Sequence, residues 1–493
     1  CAVSVRGGGF VSHVSFTANG DGGAKWYDKL LWYENVVYER DEHLEGLSVD
    51  HLWSPGFGSL SMKKGDVAYI VLSEEPVSYS TGEIEALEME TAERMGEFVR
   101  SVSIDSHYSS IQDMIHSSSH LVADHKVTPP AIFSGFPSVE QRARDTFISL
   151  PGLTLATDRL RTARGILDNW LELAGQADGL MPSSIDHDGK PKFGDIDAGL
   201  WFLYAVDKYS SRVRDSYAVA NFEKLKAVLG QYENGPDDLG AVMDRDTKLL
   251  RYFNTAQTRH WMSGDADGET LVERRGYLVE LNALWYNALS FMKKVSESAG
   301  DSAAAARYEV LASECRDSFE KTFWNKDKKY LFDWVDPSGG SDDAIRPNAI
   351  LAVSLPYPVL SEEKSRQVFV TSWNELYTTY GLRTLDPRHE KFKGRAEGRP
   401  DQRKKARLRG MAWPWLLGQF ITSYMRLNPD AYEIGWSFVR PFTSHLRRGC
   451  LGGVSEYFDG MMPYMPNGDA LSAMSLGELL RVIHDDLNID KRQ

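Results

Sequence analysis

Carboxylates beside aromatic rings are the residues of this chain with the most chemistry to offer. Asp197 and Trp201 stand four residues apart, which puts them on one face of a helix, and Glu280 is followed by Asn282 and Trp285. An indole covers the apolar C–H face of a pyranose while a carboxylate or amide meets its hydroxyls in pairs, so such groupings suit sugars. Asp145, Asp195, Asp265, Asp267, Glu456 and Asp459 add carboxylates in loop-rich or aromatic stretches where a cleft would form. Hydrolysis of a glycoside needs two such groups. One is a protonated carboxyl for the leaving oxygen, the other a carboxylate that activates water at about 6.5–9.5 Å or attacks directly at about 5–5.5 Å. The plain alternative is that any one Trp packs a core and any one acid is a solvated surface charge. Pattern alone does not choose the pair.

Other chemistries lack their usual supports. No GxSxG elbow, Walker loop, dinucleotide fingerprint or HExxH is present, which disfavours acyl transfer, nucleotide binding and zinc proteolysis. With 56 Lys+Arg against 70 Asp+Glu the chain carries −14, so nucleic acid and anionic lipid are not expected partners, and the basic run Arg403 to Arg409 is expected to be a solvated loop. "RGGGF" from Arg6 is expected to be a turn or bulge, and "DADGE" from Asp265 a surface turn rather than a calcium loop. Three cysteines, Cys1, Cys315 and Cys450, show no CxxC spacing, which points away from a disulfide framework or zinc and toward a reducing, cytoplasmic compartment. No apolar run approaches the roughly 18 residues of a membrane span. No metal or cofactor is called for.

The elements that must position these residues fall into two kinds. Alternating runs such as "FVSHVSFTA" and "VAYIVLS" before residue 90 predict half-buried antiparallel strands, a partial β-sandwich over 1–90. A helical, charged stretch follows, expected to link the two parts over 91–130. From 131 to 493, segments such as "LRTARGILDNWLELAGQ", "VELNALWYNALSFMKKVSES" and "PWLLGQFITSYMRL" repeat apolar residues at helical spacing. Long Gly, Pro and Asp-rich connections between them hold much of the Trp and carboxylate content. Helices of this number with no strand run between them predict a mainly α domain, an (α/α)6 toroid, with the chemistry on its loops.

In order along the chain, "ARDTFISLPGLTLAT", "GDIDAGLWFLYAV", "VELNALWYNAL", "IRPNAILAVSLP", "YGLRTL", "WPWLLGQF" and "GVSEYFDG" resemble the motifs of the amylo-α-1,6-glucosidase family of glycogen debranching enzymes, from about residue 131 to about 482. "YERDEHLEGLSVDHLWSPG" is similar to the end of the β-sandwich domain that precedes the glucosidase in prokaryotic members. That domain is normally longer, which implies that Cys1 falls inside it. The resemblance implies an (α/α)6 toroid that hydrolyses α-glucosidic bonds with inversion and without cofactor. It implies Arg144 and Asp145 as a sugar-gripping pair, Asp197 with Trp201 as a second, and Glu456 as general base. Trp261, Glu280, Trp285, Arg346 and Trp413 fall in the remaining matched motifs and are expected to contact substrate.

Departures from the family pattern cluster around one subsite. Where the family has Thr-Trp-Met-Asp, with its acid, this chain has His260-Trp261-Met262-Ser263; Tyr-His-Gln-Gly is replaced by Arg407-Leu408-Arg409-Gly410, and Gln-Ala-Trp-Ser by Ser472-Ala473-Met474-Ser475. A serine cannot protonate a leaving oxygen near neutral pH, so the acid must be displaced, with Asp265 or Asp267 as candidates, or activity is lost. Three readings follow. They are a divergent glucosidase acting on an oligosaccharide or glucan, a glucan-binding pseudoenzyme subunit, and an unrelated toroid enzyme using His260 and Tyr277. A homo-oligomer or a companion N-terminal fragment is compatible with each.

Overall fold

Alternation in the first part of the chain yields antiparallel strands, and the helical periodicity of the rest yields helices. In the computed structural model, the described residues are 2–7, 10–18, 25–37, 49–73, 75–104, 108–124, 129–236, 238–253, 258–266, 268–449 and 452–488. Cys1, Cys450, Asp267 and the middle of "RGGGF", Gly8 and Gly9, lie outside them, as does all of "YERDEHLEGLS". Two compact units form, residues 1–101 and 102–493.

The first unit holds β1 (Ala2–Gly7), β2 (Phe10–Ala18), β3 (Lys25–Val37), β4 (Val49–Ser59) and β5 (Ala68–Ser73), followed by α1 (Thr81–Ser101). β1, β2 and β5 pair antiparallel in that order, and β3 pairs with β4 as a separate ribbon. The ribbon's register brings Tyr27 opposite Phe57, their rings stacked at 5.0 Å. A capping box starts α1. The Glu83 amide donates to Ser80 Oγ at 3.3 Å and the Ser80 amide returns to Glu83 Oε2 at 2.7 Å.

The second unit is mainly helical: α2 (Ser109–Leu121), α3 (Ala143–Leu150), α4 (Leu160–Gly175), α5 (Ala198–Val213), α6 (Tyr217–Ala220), α7 (Phe222–Asn234), α8 (Val279–Ala299), α9 (Ser302–Phe323), α10 (Leu351–Ser354), α11 (Glu362–Glu375), α12 (Pro400–Leu408), α13 (Pro414–Leu427), α14 (Tyr432–Val439), α15 (Phe442–His445) and α16 (Ala473–Asp485). α3 packs on α5, α5 on α8, α8 on α10, α10 on α13, α13 on α16, and α16 back on α3. Members of this cycle are buried nearly all round, as α5 is from Ala198 through Asp207. That burial accounts for the apolar run at Leu200 to Val206. By contrast α4 buries one stripe, Thr162, Ala163, Ile166, Leu167, Trp170, Leu171 and Ala174, and turns its charges outward. Among the described residues no helix is long and apolar enough to cross a membrane.

Short strands lead into the helices of the cycle. Gln141–Arg142 runs into α3, Gly276–Leu278 into α8, Ala412–Trp413 into α13 and Leu471–Ser472 into α16. Each pairs with a neighbouring loop, so helix starts are tied together by backbone hydrogen bonds. Close packing is most severe where the turn after α3 meets α16: a Cβ on Gly152 would lie 1.7 Å from the carbonyl oxygen of Gly477. Gly152→Ala is therefore expected to cost about 1–3 kcal/mol or more through forced separation of the two helices. Gly175→Ala, at the open end of α4, stays within about 0.5 kcal/mol. Urea midpoints of the two variants check this, and equal midpoints would refute the close contact.

Candidate active site

The starts of the cycle's helices and the loops before them carry the side chains with chemistry. Arg144 and Asp145 lie in the first turn of α3, and Asp195 and Asp197 directly precede α5. Arg144 forms a two-pronged bond with Asp197, Nε to Oδ2 at 2.9 Å and Nη2 to Oδ1 at 2.7 Å, and also approaches Asp195 at 3.2 Å. Trp201 Nε1 donates to the same Asp197 Oδ2 at 3.2 Å, so the i, i+4 pair is present with the indole as donor. Burial raises the Asp195 carboxyl above the usual range, Arg144 opposes, and the charges of Asp197 and Asp145 add to the rise.

From Trp201 a run of aromatic rings leads to Glu456. Trp201 meets Trp415 at 6.4 Å, Trp415 meets Trp261 at 5.4 Å, Trp261 meets Trp413 at 5.9 Å, and Trp413 stacks on Tyr457 at 5.2 Å. Glu456, beside Tyr457, is 13% exposed and accepts from Arg407 Nη2 at 2.8 Å. Its other oxygen accepts from the Asp469 amide at 3.3 Å. Asp469 itself is buried, and burial first and the charge of Glu456 second push its carboxyl up to about 6. Burial also raises Asp145, with Arg142 and Arg144 opposing and Glu456 adding to the rise. Asp145 and Asp469 thus both feel the charge of Glu456, which disfavours their ionised forms.

Position 263 sits in a closed turn. The His260 amide donates to Ser263 Oγ and the Ser263 amide to the His260 carbonyl, both at 2.9 Å. This loop runs beside the segment before α5: the Ile196 amide donates to the Arg259 carbonyl at 3.1 Å and the Arg259 amide to Gly194 at 2.7 Å. Asp195 therefore lies on the strand-like edge next to the loop that lacks its acid. His260 is buried, and that burial together with Arg274, Arg144 and Arg346 holds its imidazole neutral.

Some residues expected to contact substrate are buried with their polar groups engaged by the protein. Trp285 is fully enclosed, its Nε1 donating to the Lys248 carbonyl at 3.0 Å. Glu280 gives both carboxylate oxygens to the buried Arg274, whose Nε also donates to Asp333 Oδ2 at 2.8 Å. Arg346 is buried with Nη1 donating to the Thr384 carbonyl at 3.2 Å. Asp333 Oδ1 accepts from Asn348 Nδ2 at 2.6 Å, and Asn348 Oδ1 in turn accepts from Trp261 Nε1 at 2.9 Å, fixing the plane of that indole. Asp265 lies in an exposed hairpin and accepts from Thr270 Oγ1 at 3.0 Å. The basic run is only partly a solvated loop. It forms α12, Lys405 and Arg409 both pair with Glu269, and Arg407 enters the pocket. Asp469 was not singled out from sequence, because Asn-Gly-Asp looks like an ordinary turn. Among the described residues no His, Cys, Asp and Glu side chains group as a metal site.

A family model described as amylo-alpha-1,6-glucosidase matches residues 115–481. Among solved structures, the GH63 mannosylglycerate hydrolase from Thermus thermophilus in complex with Tris aligns at a TM-score of 0.53 and 13% identity, over 75% of this chain and 98% of that one. Its complex with glucose gives 0.53 and 12%, over 74% and 99%. An uncharacterized conserved protein from the same organism gives 0.50 and 13%, over 71% and 95%. At such identities the likeness is one of fold.

The raised Asp469 carboxyl makes a pH-dependent contribution to stability. Its folded value of about 6 lies above the roughly 3.9 of an unfolded aspartate, so protonation favours the folded chain. This contribution is complete below about pH 4 and is lost as pH rises through about 6. Asp469→Asn keeps an acceptor for the Ser138 amide without the charge, and is expected to melt higher than wild type near pH 7.5, with the gap closing below about pH 4. A gap independent of pH would contradict the assignment.

Proposed function

The chain belongs to the amylo-alpha-1,6-glucosidase family, and on that premise we propose that it is an inverting glycoside hydrolase of (α/α)6 form. Its substrates are α-glucosidic bonds, chiefly α-1,6, of glycogen-derived or related oligosaccharides, and it uses no cofactor. The closed cycle of six helices supports the toroid. The observation that carries the hydrolase reading is Glu456, a partly open carboxylate held by an arginine and a backbone amide at the end of an aromatic run that begins at the Arg144–Asp197 pair. In this reading the Trp261 face and the Arg144 group seat the sugar, with the buried Trp413 behind them, and Glu456 takes a proton from water as the water attacks the anomeric carbon.

The proton for the leaving oxygen is assigned to Asp195 in preference to Asp265. Asp195 flanks the Ser263 loop, keeps 17% of its side chain open, and is raised by burial, whereas Asp265 is exposed and tied to Thr270. Asp267, two residues beyond Asp265 in the sequence, is the alternative donor. A second reading, a glucan-binding pseudoenzyme, draws on the Arg407–Glu456 pair and the closed Ser263 turn, which occupy base and acid positions together.

Glucose release from limit dextrin, isomaltose and maltose, with proton NMR of the first anomer formed, separates the readings. Hydrolysis with β-glucose as initial product is expected. Glu456→Gln should lower kcat by about 100-fold or more with little change in KM, since the amide keeps the shape but takes no proton. Ser263→Asp restores a carboxyl that can accept the same His260 amide and should raise the rate on the α-1,6 substrate. Sugar binding without release in every variant would favour the pseudoenzyme.

A further inference from the structure

Resting on the glycosidase reading, we propose that Arg407 makes this pocket selective for glycosides bearing an oxyanion, a carboxylate or a phosphate, beside the sugar.

Of Lys405, Arg407 and Arg409 at the end of α12, it is Arg407 that turns to the pocket. Lys405 pairs with Glu269 at 3.0 Å, Arg409 pairs with Glu269 at 2.5 Å and donates to the Leu271 carbonyl at 3.0 Å, and Leu408 joins a buried cluster with Met262, Ala266, Leu271 and Val272. These contacts clamp the helix end onto the loop that carries Ser263 and aim Arg407 across the site. Its guanidinium lies 5.2 Å from the Trp413 ring centroid and 5.8 Å from that of Tyr457, so two aromatic faces limit how it can turn. The Arg407 carbonyl accepts from Trp413 Nε1 at 3.2 Å, which ties backbone and ring together.

The fork of this guanidinium is half used. Nη2 donates to Glu456 Oε1, while Nε is buried with no acceptor. Nε and Nη2 form the edge that grips a planar anion with two parallel bonds, as the same two atoms of Arg144 grip Asp197. A neutral hydroxyl offers no such pair of oxygens. The Arg407 side chain is 30% exposed, so an oxyanion on the substrate would have to draw the guanidinium partway outward to satisfy the buried Nε hydrogen and take Nη2 from Glu456, leaving that carboxylate free to accept the proton of water. Arg142, close enough to repel Arg407 and to attract Glu456, adds positive field on the same side. Recognition of the anion and release of the base become one event.

The test uses the whole chain and matched probes. Isomaltobionate and isomaltitol differ by a carboxylate in place of a hydroxymethyl group, and isomaltose 6′-phosphate and isomaltose by a phosphate. Affinity by calorimetry, and kcat/KM wherever a bond is cleaved, are compared for wild type, Arg407→Gln and Arg407→Lys. At least one anionic probe should be preferred by about tenfold or more over its neutral partner in wild type. That ratio should fall to near one in Arg407→Gln and to an intermediate value in Arg407→Lys, which keeps charge without the fork and remains readable if the glutamine variant does not fold. A wild-type ratio near one for both pairs overturns the proposal, as does a preference that survives in Arg407→Gln. Selective binding without hydrolysis of any probe upholds it while removing the hydrolase reading. Hydrolysis of the neutral probes with no preference for the anionic ones does the reverse.

Discussion

A guanidinium sealed from water, that of Arg274, is the constraint on which the candidate site depends. Its donors are spread over Glu280 at the start of α8 and Asp333 in the next connection. Asp333 holds Asn348, and Asn348 holds Trp261. Loops far apart in sequence are thereby locked to one charge. Removing a partner from such a buried pair leaves an uncompensated charge at a cost of about 3–5 kcal/mol, whereas the intact pair adds little net stability over an apolar replacement. Its contribution is placement: the indole of Trp261 cannot turn without breaking a chain of buried hydrogen bonds.

The same economy of charge shapes the rest of the site. Arg144 pairs with both aspartates that precede α5 but offsets only one charge, so Asp197 is held by the two-pronged bond while Asp195 is raised. Around Glu456 the balance is less complete. Asp145 and Asp469 are both raised by burial and by Glu456, and Arg407 is the cation in direct contact with that carboxylate. Raised carboxyls grouped in this way are a feature of sites that carry out acid–base chemistry.

The fold was legible where side-chain chemistry repeats along the chain. Apolar residues at helical spacing marked the helices, and the nearly unbroken apolar stretch of α5 identified a helix buried on every face. Within the site, Asp197 and Trp201 were legible because i, i+4 spacing brings them together whatever surrounds them. Glu280 and Trp285 carried a similar mixture of acid and aromatic, yet they face a buried arginine and a backbone carbonyl. Orientation about a helix axis relative to other helices is not written in local spacing. Asp469 was illegible as a site residue for a related reason: a turn aspartate takes its meaning from which neighbour excludes its water. Arg407 was legible as a departure from the family pattern at one subsite, but its pairing with Glu456 was not.

By itself, then, the sequence determined the succession of strands and helices and the inventory of carboxylates and indoles, since each of these is a property of local composition and spacing; Ser263 in place of an acid was legible only through the resemblance to the family. Only the tertiary structure decided that Arg407 meets Glu456, that Asp469 rises to about 6 beside it, and that Glu280 is spent on Arg274. Proton affinity and charge pairing depend on distance and on the exclusion of water, and both are set by residues far apart in the chain that the cycle of helices brings together.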